Sequence, residues 1–173
     1  IKGGIFEDSR ANQSLSFSGN TAPFNINITI NSELTNYTIT VYGLTGTNRN
    51  QIMQATEVVA GDVFIVQGQS NAEANERSGS ASANNSNFIR VYASGTENGT
   101  NLQNNDNWFV AQGDGHKETN GNAGQWGLKL AKMLQDDLKI PIAIFNGAHG
   151  GQPIEFFQAP GNYATSTSSN YGR

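Results

Sequence analysis

One serine lies where a parallel α/β sheet would present a nucleophile. Ser70 belongs to the turn Gly68–Asn71, which follows a short apolar run, Val63–Val66, rich in β-branched residues and typical of a buried core strand. Ligands of open α/β sheets bind beyond the carboxyl ends of the strands, so this position suits attack on a substrate carbonyl. The same serine could instead cap the following helix, and the local sequence leaves both interpretations open.

A second strand and glycine-rich turn repeat this design later in the chain. The apolar run Ile142–Phe145 is followed by Gly147, Gly150 and Gly151. If the two strands are neighbours and parallel, their turns meet across one crevice at the same edge of the sheet. Taken alone, the paired glycines favour a tight turn that serves only packing.

These two segments resemble the SGNH hydrolase superfamily, and within it the sialate O-acetylesterase-like and acetyl xylan esterase-like carbohydrate esterases. The first family block reads approximately Gly-Asp-Val-Trp-Leu-x-x-Gly-Gln-Ser-Asn-Met, and Phe64 and Ala72 replace its tryptophan and methionine. The second reads approximately Pro-Val-Gly-Leu-Ile-x-x-x-Trp-Gly-Gly-Thr-Pro-Ile-Glu, with His149 and Gln152 replacing tryptophan and threonine. The resemblance covers roughly residues 58–157.

The resemblance implies a role for each matching position. Ser70 would be the nucleophile, and the backbone N–H groups of Ser70 and Gly151 would form an oxyanion hole. The family acts on acetylated carbohydrates without a metal or another cofactor, so we expect none here. Weaker predictions of substrate contact fall on four side chains beside the two turns: Gln69, Asn71, His149 and Gln152.

The general base that a serine esterase needs is not evident in this sequence. The family carries an Asp-x-x-His pair near its C-terminus, after a Trp-x-Gln-Gly-Glu block, and neither pattern occurs here. His116 follows Asp114 one residue too early, which favours a solvated loop histidine, and His149 is expected to contact substrate. We therefore expect an N-terminal fragment whose histidine and aspartate come from a second polypeptide that completes the domain.

Composition narrows the class of partner. The 173 residues carry a net charge of -4 with a pI near 5.0, which predicts neither a nucleic-acid nor a membrane partner. There is no cysteine, and no run of 18 apolar residues is present. Only 14% of residues are charged, while Asn, Gly and Ser are abundant. This composition favours a secreted, periplasmic or cell-surface protein.

Two domains are predicted, with a boundary between residues 58 and 59. Alternating apolar and polar residues over 14–18, 24–30 and 37–42 predict antiparallel strands in a small all-β unit. That unit could be a carbohydrate-binding module or a packing accessory. Residues 59–173 are predicted to be the N-terminal part of an SGNH hydrolase-like domain, a flavodoxin-like three-layer α/β sandwich with a parallel sheet.

Three further structural expectations concern this second domain. A helix over 124–138 should pack on the sheet through the apolar residues Trp126, Leu130, Met133, Leu134 and Leu138. The family resemblance also implies a strand at Ile89–Tyr92. With it, only three parallel strands are evident, and the last of them, over 142–145, should have an unpaired edge. The acidic residues Asp106, Asp114 and Glu118 lack a calcium-loop pattern and predict a solvated loop.

The sequence thus predicts a secreted carbohydrate O-acetylesterase that acts through Ser70. A noncatalytic glycan-binding or adhesion protein with the same fold is the alternative from another class. Within the enzymes, a lipase or thioesterase stays open, although the Asn-rich loops argue against a long apolar acyl groove.

Overall fold

The computed structural model describes residues 11–74, 81–92, 107–114 and 120–159 of the 173-residue chain. The chain divides into two compact units, Ile1–Ala60 and Gly61–Arg173. Each unit has its own sheet.

The first unit is built on one antiparallel hairpin. Strands β1 (Tyr37–Thr45) and β2 (Asn48–Val58) pair from Tyr37↔Val58 to Thr45↔Asn48. A two-residue loop joins them, and its first residue, Gly46, has a φ of 59°, as the tight turns of hairpins require. The predicted small antiparallel β unit is confirmed, although β2 carries too few apolar residues for its alternation to be recognised in the sequence.

Two of the three strands predicted in this region are wrong. Residues 14–18 and 24–30 form no strand, and only an isolated bridge, Ser18↔Thr21, lies within or beside them. Most of their apolar side chains are exposed, including Phe17 and Phe24. Period-two alternation predicts a strand only where a partner strand and a buried face exist, and these segments have neither among the described residues.

The second unit contains a four-stranded mixed sheet. Its strands are β3 (Asp62–Val66), β4 (Ile89–Tyr92), β5 (Trp108–Val110) and β6 (Ile142–Asn146), in the order β3-β6-β4-β5. Strands β3, β6 and β4 are parallel, and β5 runs antiparallel to β4. The helices of the described residues are α1 (Ser70–Glu73), α2 (Gln125–Leu138) and two 3₁₀ turns, Ser82–Asn84 and Ile154–Phe157.

The predicted α/β class is confirmed, and so are the three parallel strands. The predicted edge is wrong, because β6 lies between β3 and β4 and is paired on both sides. In the described part of the chain the parallel edge strand is β3, which pairs with β6 alone. Its apolar run therefore does not mark a central strand: Ile65 is 71% exposed. Apolar composition indicates a strand but does not fix its place in the sheet.

Helix α2 covers one face of this sheet. The largest fully buried side chains are Ile89, Leu128, Ile142 and Ile144, which lie between α2 and the parallel strands. The helix approaches the sheet through small residues, since a methyl group on Gly127 would lie 3.8 Å from the Ile144 side chain. Because β sheets and helices pack through their apolar faces, this interface is the main core of the unit.

The helix face predicted from the sequence is wrong in part. The buried positions of α2 are Gly127, Leu128, Ala131 and Gln135, with Leu134 packed at their margin. Met133, Leu138 and Trp126 are instead exposed, Trp126 by 43%, so Trp126 is not a core residue. The prediction followed the larger apolar side chains, whereas close helix–sheet packing selects the small ones.

The opposite face of the sheet has exposed apolar side chains. Val63 and Ile65 of β3 project there, and beside them Tyr92, Trp108 and Phe145 form an aromatic cluster with ring centroids 5.3–6.1 Å apart. Parallel sheets usually bury both faces.

No helix of the described residues is long and apolar enough to cross a lipid bilayer.

Two isoleucines on adjacent strands test which face is the core. Ile144 is fully buried against α2, whereas Ile65 is on the opposite face. We expect Ile144→Ala to lower the free energy of unfolding by about 2–5 kcal/mol, because it leaves a cavity. Ile65→Ala should cost less than about 1 kcal/mol, as surface substitutions do. Urea unfolding measures both, and equal losses would show that the exposed face is packed in solution.

Candidate active site

The two glycine-rich turns meet at the carboxyl edge of the parallel strands. The register pairs Val66 of β3 with Asn146 of β6, so both strands end at the same level. Beyond the strands, the Gly147 N–H donates to the Val66 carbonyl at 2.9 Å, and the His149 N–H donates to the Gly68 carbonyl at 2.9 Å. The prediction that the two turns are neighbours is confirmed.

Ser70 is the first residue of α1 and does not cap it. Gln69 occupies the N-cap position, and its backbone carbonyl accepts the N–H groups of Ala72 and Glu73 at 2.9 Å. The side chain of Ser70 is therefore not used to begin the helix, and the residue is exposed. The structure leaves Ser70 exposed just beyond the end of β3.

The two adjacent glycines of the second turn have different constraints. Gly151 has a φ of 79°, a left-handed conformation that side chains disfavour, and it borders open space. Gly150 is crowded: a methyl group there would lie 2.9 Å from the Glu73 carboxylate and 3.4 Å from the Ser70 Cβ atom. The absent side chain of Gly150 is what lets this turn approach the serine.

Two backbone N–H groups at this edge have no hydrogen-bond partner in the described part of the chain. Within the described residues, neither the Ser70 N–H nor the Gly151 N–H has a hydrogen-bond partner, and both residues are exposed. Backbone N–H groups usually find a partner or face solvent. These two are consequently available to an oxygen atom of a bound molecule.

Asn146 joins three segments beneath the turns. Its side-chain Nδ2 donates to the Ala123 carbonyl at 3.0 Å and to the Glu73 carbonyl at 3.4 Å, and its Oδ1 accepts the Ala148 N–H at 3.1 Å. One side-chain amide thus satisfies groups from α1, from the segment before α2 and from the second turn. The sequence prediction did not single it out, although a polar residue ending an apolar strand was the available signal.

Glu73 is the second residue that the sequence prediction missed. It is only 6% exposed, and its carboxylate accepts the Gly150 N–H at 2.8 Å. A carboxylate is seldom buried without partners. Its spacing of three residues from Ser70 was the available signal, since it places both side chains on one side of a helical turn.

The four residues predicted more weakly to contact substrate lie on the two turns at the same edge, and their contacts differ. The Gln69 Nε2 donates to the Gln152 backbone carbonyl, which ties the two turns together. Asn71 is exposed, and its backbone carbonyl accepts the Trp126 indole N–H at 2.7 Å. The His149 ring makes an edge contact with Phe156 at 5.2 Å.

The acidic loop is only partly described. The Asp114 carboxylate accepts the N–H groups of Ala81 and Ser82 at 2.5 and 3.0 Å, so it supports a turn and is not simply solvated. Asp106, His116 and Glu118 lie outside the described residues. Among those that are described, no three His, Cys, Asp or Glu side chains are grouped as a metal ion would need.

The chain is similar in structure to a solved protein. A carbohydrate acetylesterase from Xanthomonas citri superposes with a TM-score of 0.45 and 23% sequence identity, over 68% of this chain and 28% of that one. The chain thus spans a little over a quarter of that protein's length. No protein-family model matches the sequence, and no curated protein sequence matches it.

The Asn146 junction can be tested with an isosteric change. Asn146→Asp keeps the acceptor for the Ala148 N–H but turns an oxygen towards the Ala123 and Glu73 carbonyls. We expect a loss of about 1–3 kcal/mol in the free energy of unfolding, since two donors disappear and like dipoles face each other. Urea unfolding measures the loss, with Asn87→Asp at an exposed position of the same unit as the control. Equal stability of the two variants would contradict the assigned bonds.

Proposed function

We propose that this chain carries the nucleophile and oxyanion hole of a carbohydrate O-acetylesterase of the SGNH type. One observation supports this most directly: exposed Ser70 and exposed Gly151 lie on turns joined by the His149–Gly68 hydrogen bond, and among the described residues neither N–H group has a partner. An accessible hydroxyl beside two available donors is the arrangement that acyl transfer needs.

The proposed reaction proceeds in two steps. The Ser70 Oγ attacks the acetyl carbonyl while a base takes its proton, and the carbonyl π electrons move onto oxygen. The Ser70 and Gly151 N–H groups stabilise that oxyanion. Its collapse breaks the bond to the sugar oxygen, which leaves with the proton, and an acetyl-serine remains. Water then repeats the sequence, releasing acetate and restoring the hydroxyl.

The histidine and aspartate of this mechanism are proposed to come from a second polypeptide. The sequence contains no Asp-x-x-His, and the described histidine, His149, contacts Phe156 with its ring. The parallel edge strand β3 and the exposed apolar face beside it support a partner that extends and covers the sheet.

The substrate class and location are proposed from the surroundings of the serine. Gln69, Asn71 and Gln152 offer amide groups at the same edge, and the His149–Phe156 pair offers aromatic surface. Amides and aromatic rings suit hydroxyl-rich, partly apolar sugars. Acetylated polysaccharide outside the cytoplasm would be the substrate, consistent with the low charge of the chain.

A noncatalytic glycan-binding protein is the second candidate. The observation that favours it is the missing general base, because a serine without a base is a poor nucleophile. The two candidates differ in what Ser70 does: the esterase needs its hydroxyl, whereas the binder needs only the surface around it.

Replacing Ser70 separates these candidates. We expect Ser70→Ala to lower turnover of 4-nitrophenyl acetate and acetylated xylo-oligosaccharides at least about 10³-fold, because the nucleophile is removed. Ser82→Ala is the matched control, since Ser82 is also an exposed first residue of a short helical turn in the same unit. Undiminished turnover in Ser70→Ala would refute the proposed nucleophile. If wild type and Ser70→Ala both bind glycan and neither turns over the esters, the noncatalytic glycan-binding protein would be favoured.

The second polypeptide is testable by mass. We expect the purified native protein, measured under denaturing conditions, to yield a second species beside the 18.5 kDa chain. Its sequence should contain an aspartate and a histidine spaced as Asp-x-x-His. An 18.5 kDa species alone, fully active on acetyl esters, would contradict a base supplied in trans.

A further inference from the structure

Glu73 has no part in the attack described above, yet it lies directly beside the proposed catalytic groups. Its carboxylate accepts the Gly150 N–H at 2.8 Å, and the residue is 6% exposed. This bond joins α1 directly to the second turn.

The second turn needs such a restraint because of its composition. Gly150 and Gly151 are adjacent, and glycine has the widest range of backbone conformations of any residue. An oxyanion donor is effective only if it is held in place before the reaction begins. The Gly150 N–H bond to Glu73 anchors the residue immediately before Gly151, so it limits how the Gly151 N–H can turn.

Glu73 and Ser70 also share one short helix. Both belong to α1, and the helix is tied down behind them, since the Ala74 carbonyl accepts the Gln125 N–H at 2.9 Å. A methyl group on Gly150 would lie within 3.4 Å of both the Glu73 carboxylate and the Ser70 Cβ atom, so the two side chains border the same small space. The nucleophile and the restraint therefore keep a fixed relation to each other.

We propose that Glu73 is a positioning residue that holds the Gly150–Gly151 turn so that the Gly151 N–H faces the oxyanion formed at Ser70. This inference rests on the proposed esterase function and deepens it. Glu73 acts through Gly150 and does not touch the substrate.

The side chain is required as a hydrogen-bond acceptor and not as a charge. A negative charge near a developing oxyanion is electrostatically unfavourable, so the carboxylate does not help by its charge. Glu73→Gln keeps an oxygen that can accept the Gly150 N–H, whereas Glu73→Ala removes it. The pair of variants separates hydrogen bonding from charge.

The test compares both variants with wild type in the intact protein, with 4-nitrophenyl acetate as the probe. We expect Glu73→Ala to lower kcat about 10²-fold with KM changed less than about threefold, as for loss of one oxyanion donor. Glu73→Gln should stay within about fivefold of wild type in kcat, since the acceptor is kept. Glu155→Ala, a glutamate exposed in the same unit, is the matched control and should leave kcat unchanged.

Hydrogen–deuterium exchange gives a readout that does not depend on activity. In Glu73→Ala the hydrogen-bonded amides of residues 147–150 should exchange about tenfold or more faster, while those of α2 stay as in wild type. If Glu73 served only to stabilise the fold, Glu73→Ala would instead accelerate exchange throughout the unit. Glu73→Gln would then not restore slow exchange selectively in the turn.

The outcomes distinguish this inference from the proposed function. An inactive wild type overturns the proposed function itself. An active wild type, inactivated by Ser70→Ala but not by Glu73→Ala, overturns only the role of Glu73. Unchanged exchange over 147–150 in Glu73→Ala, or a Gln variant as impaired as Ala, also overturns it.

Discussion

The parallel pairing of β3 with β6 is the constraint on which the candidate site depends. Its register places Val66 opposite Asn146, so the two strands end together and their glycine turns emerge side by side. The ladder continues past the strands, through the Gly147–Val66 and His149–Gly68 backbone hydrogen bonds. A slip of one residue would reverse every side chain on β3 and separate the turns.

Close backbone approach is the second requirement of this edge, and glycine supplies it. A methyl group on Gly124 would lie 2.5 Å from the Glu73 backbone carbonyl, and one on Gly150 would lie 2.9 Å from the Glu73 carboxylate. Chains packed this closely bring many polar groups together away from water. Asn146 and Glu73 satisfy several of them with one side chain each, which keeps a glycine-rich region ordered.

The two faces of the sheet differ in a way that links the fold to its proposed partner. The face against α2 is close-packed through Leu128, Ala131 and Ile144, whereas the other carries exposed Val63 and Ile65. Apolar surface that stays in contact with water does not stabilise the fold. Burying it would contribute roughly 25 cal/mol of stability for each Å². This asymmetry gives the proposed second polypeptide a surface to cover.

The sequence by itself determined the strands at β3, β4 and β6, the helix at α2 and the location of Ser70 at the end of β3. Each is a local pattern: a run of β-branched residues, a 3.6-residue period or a turn rich in glycine. Only the tertiary structure decided the strand order, the buried face of α2 and the contact of Glu73 with Gly150. Local periodicity identifies an element, but its partners are selected by packing between distant segments, 77 residues apart in the case of that contact.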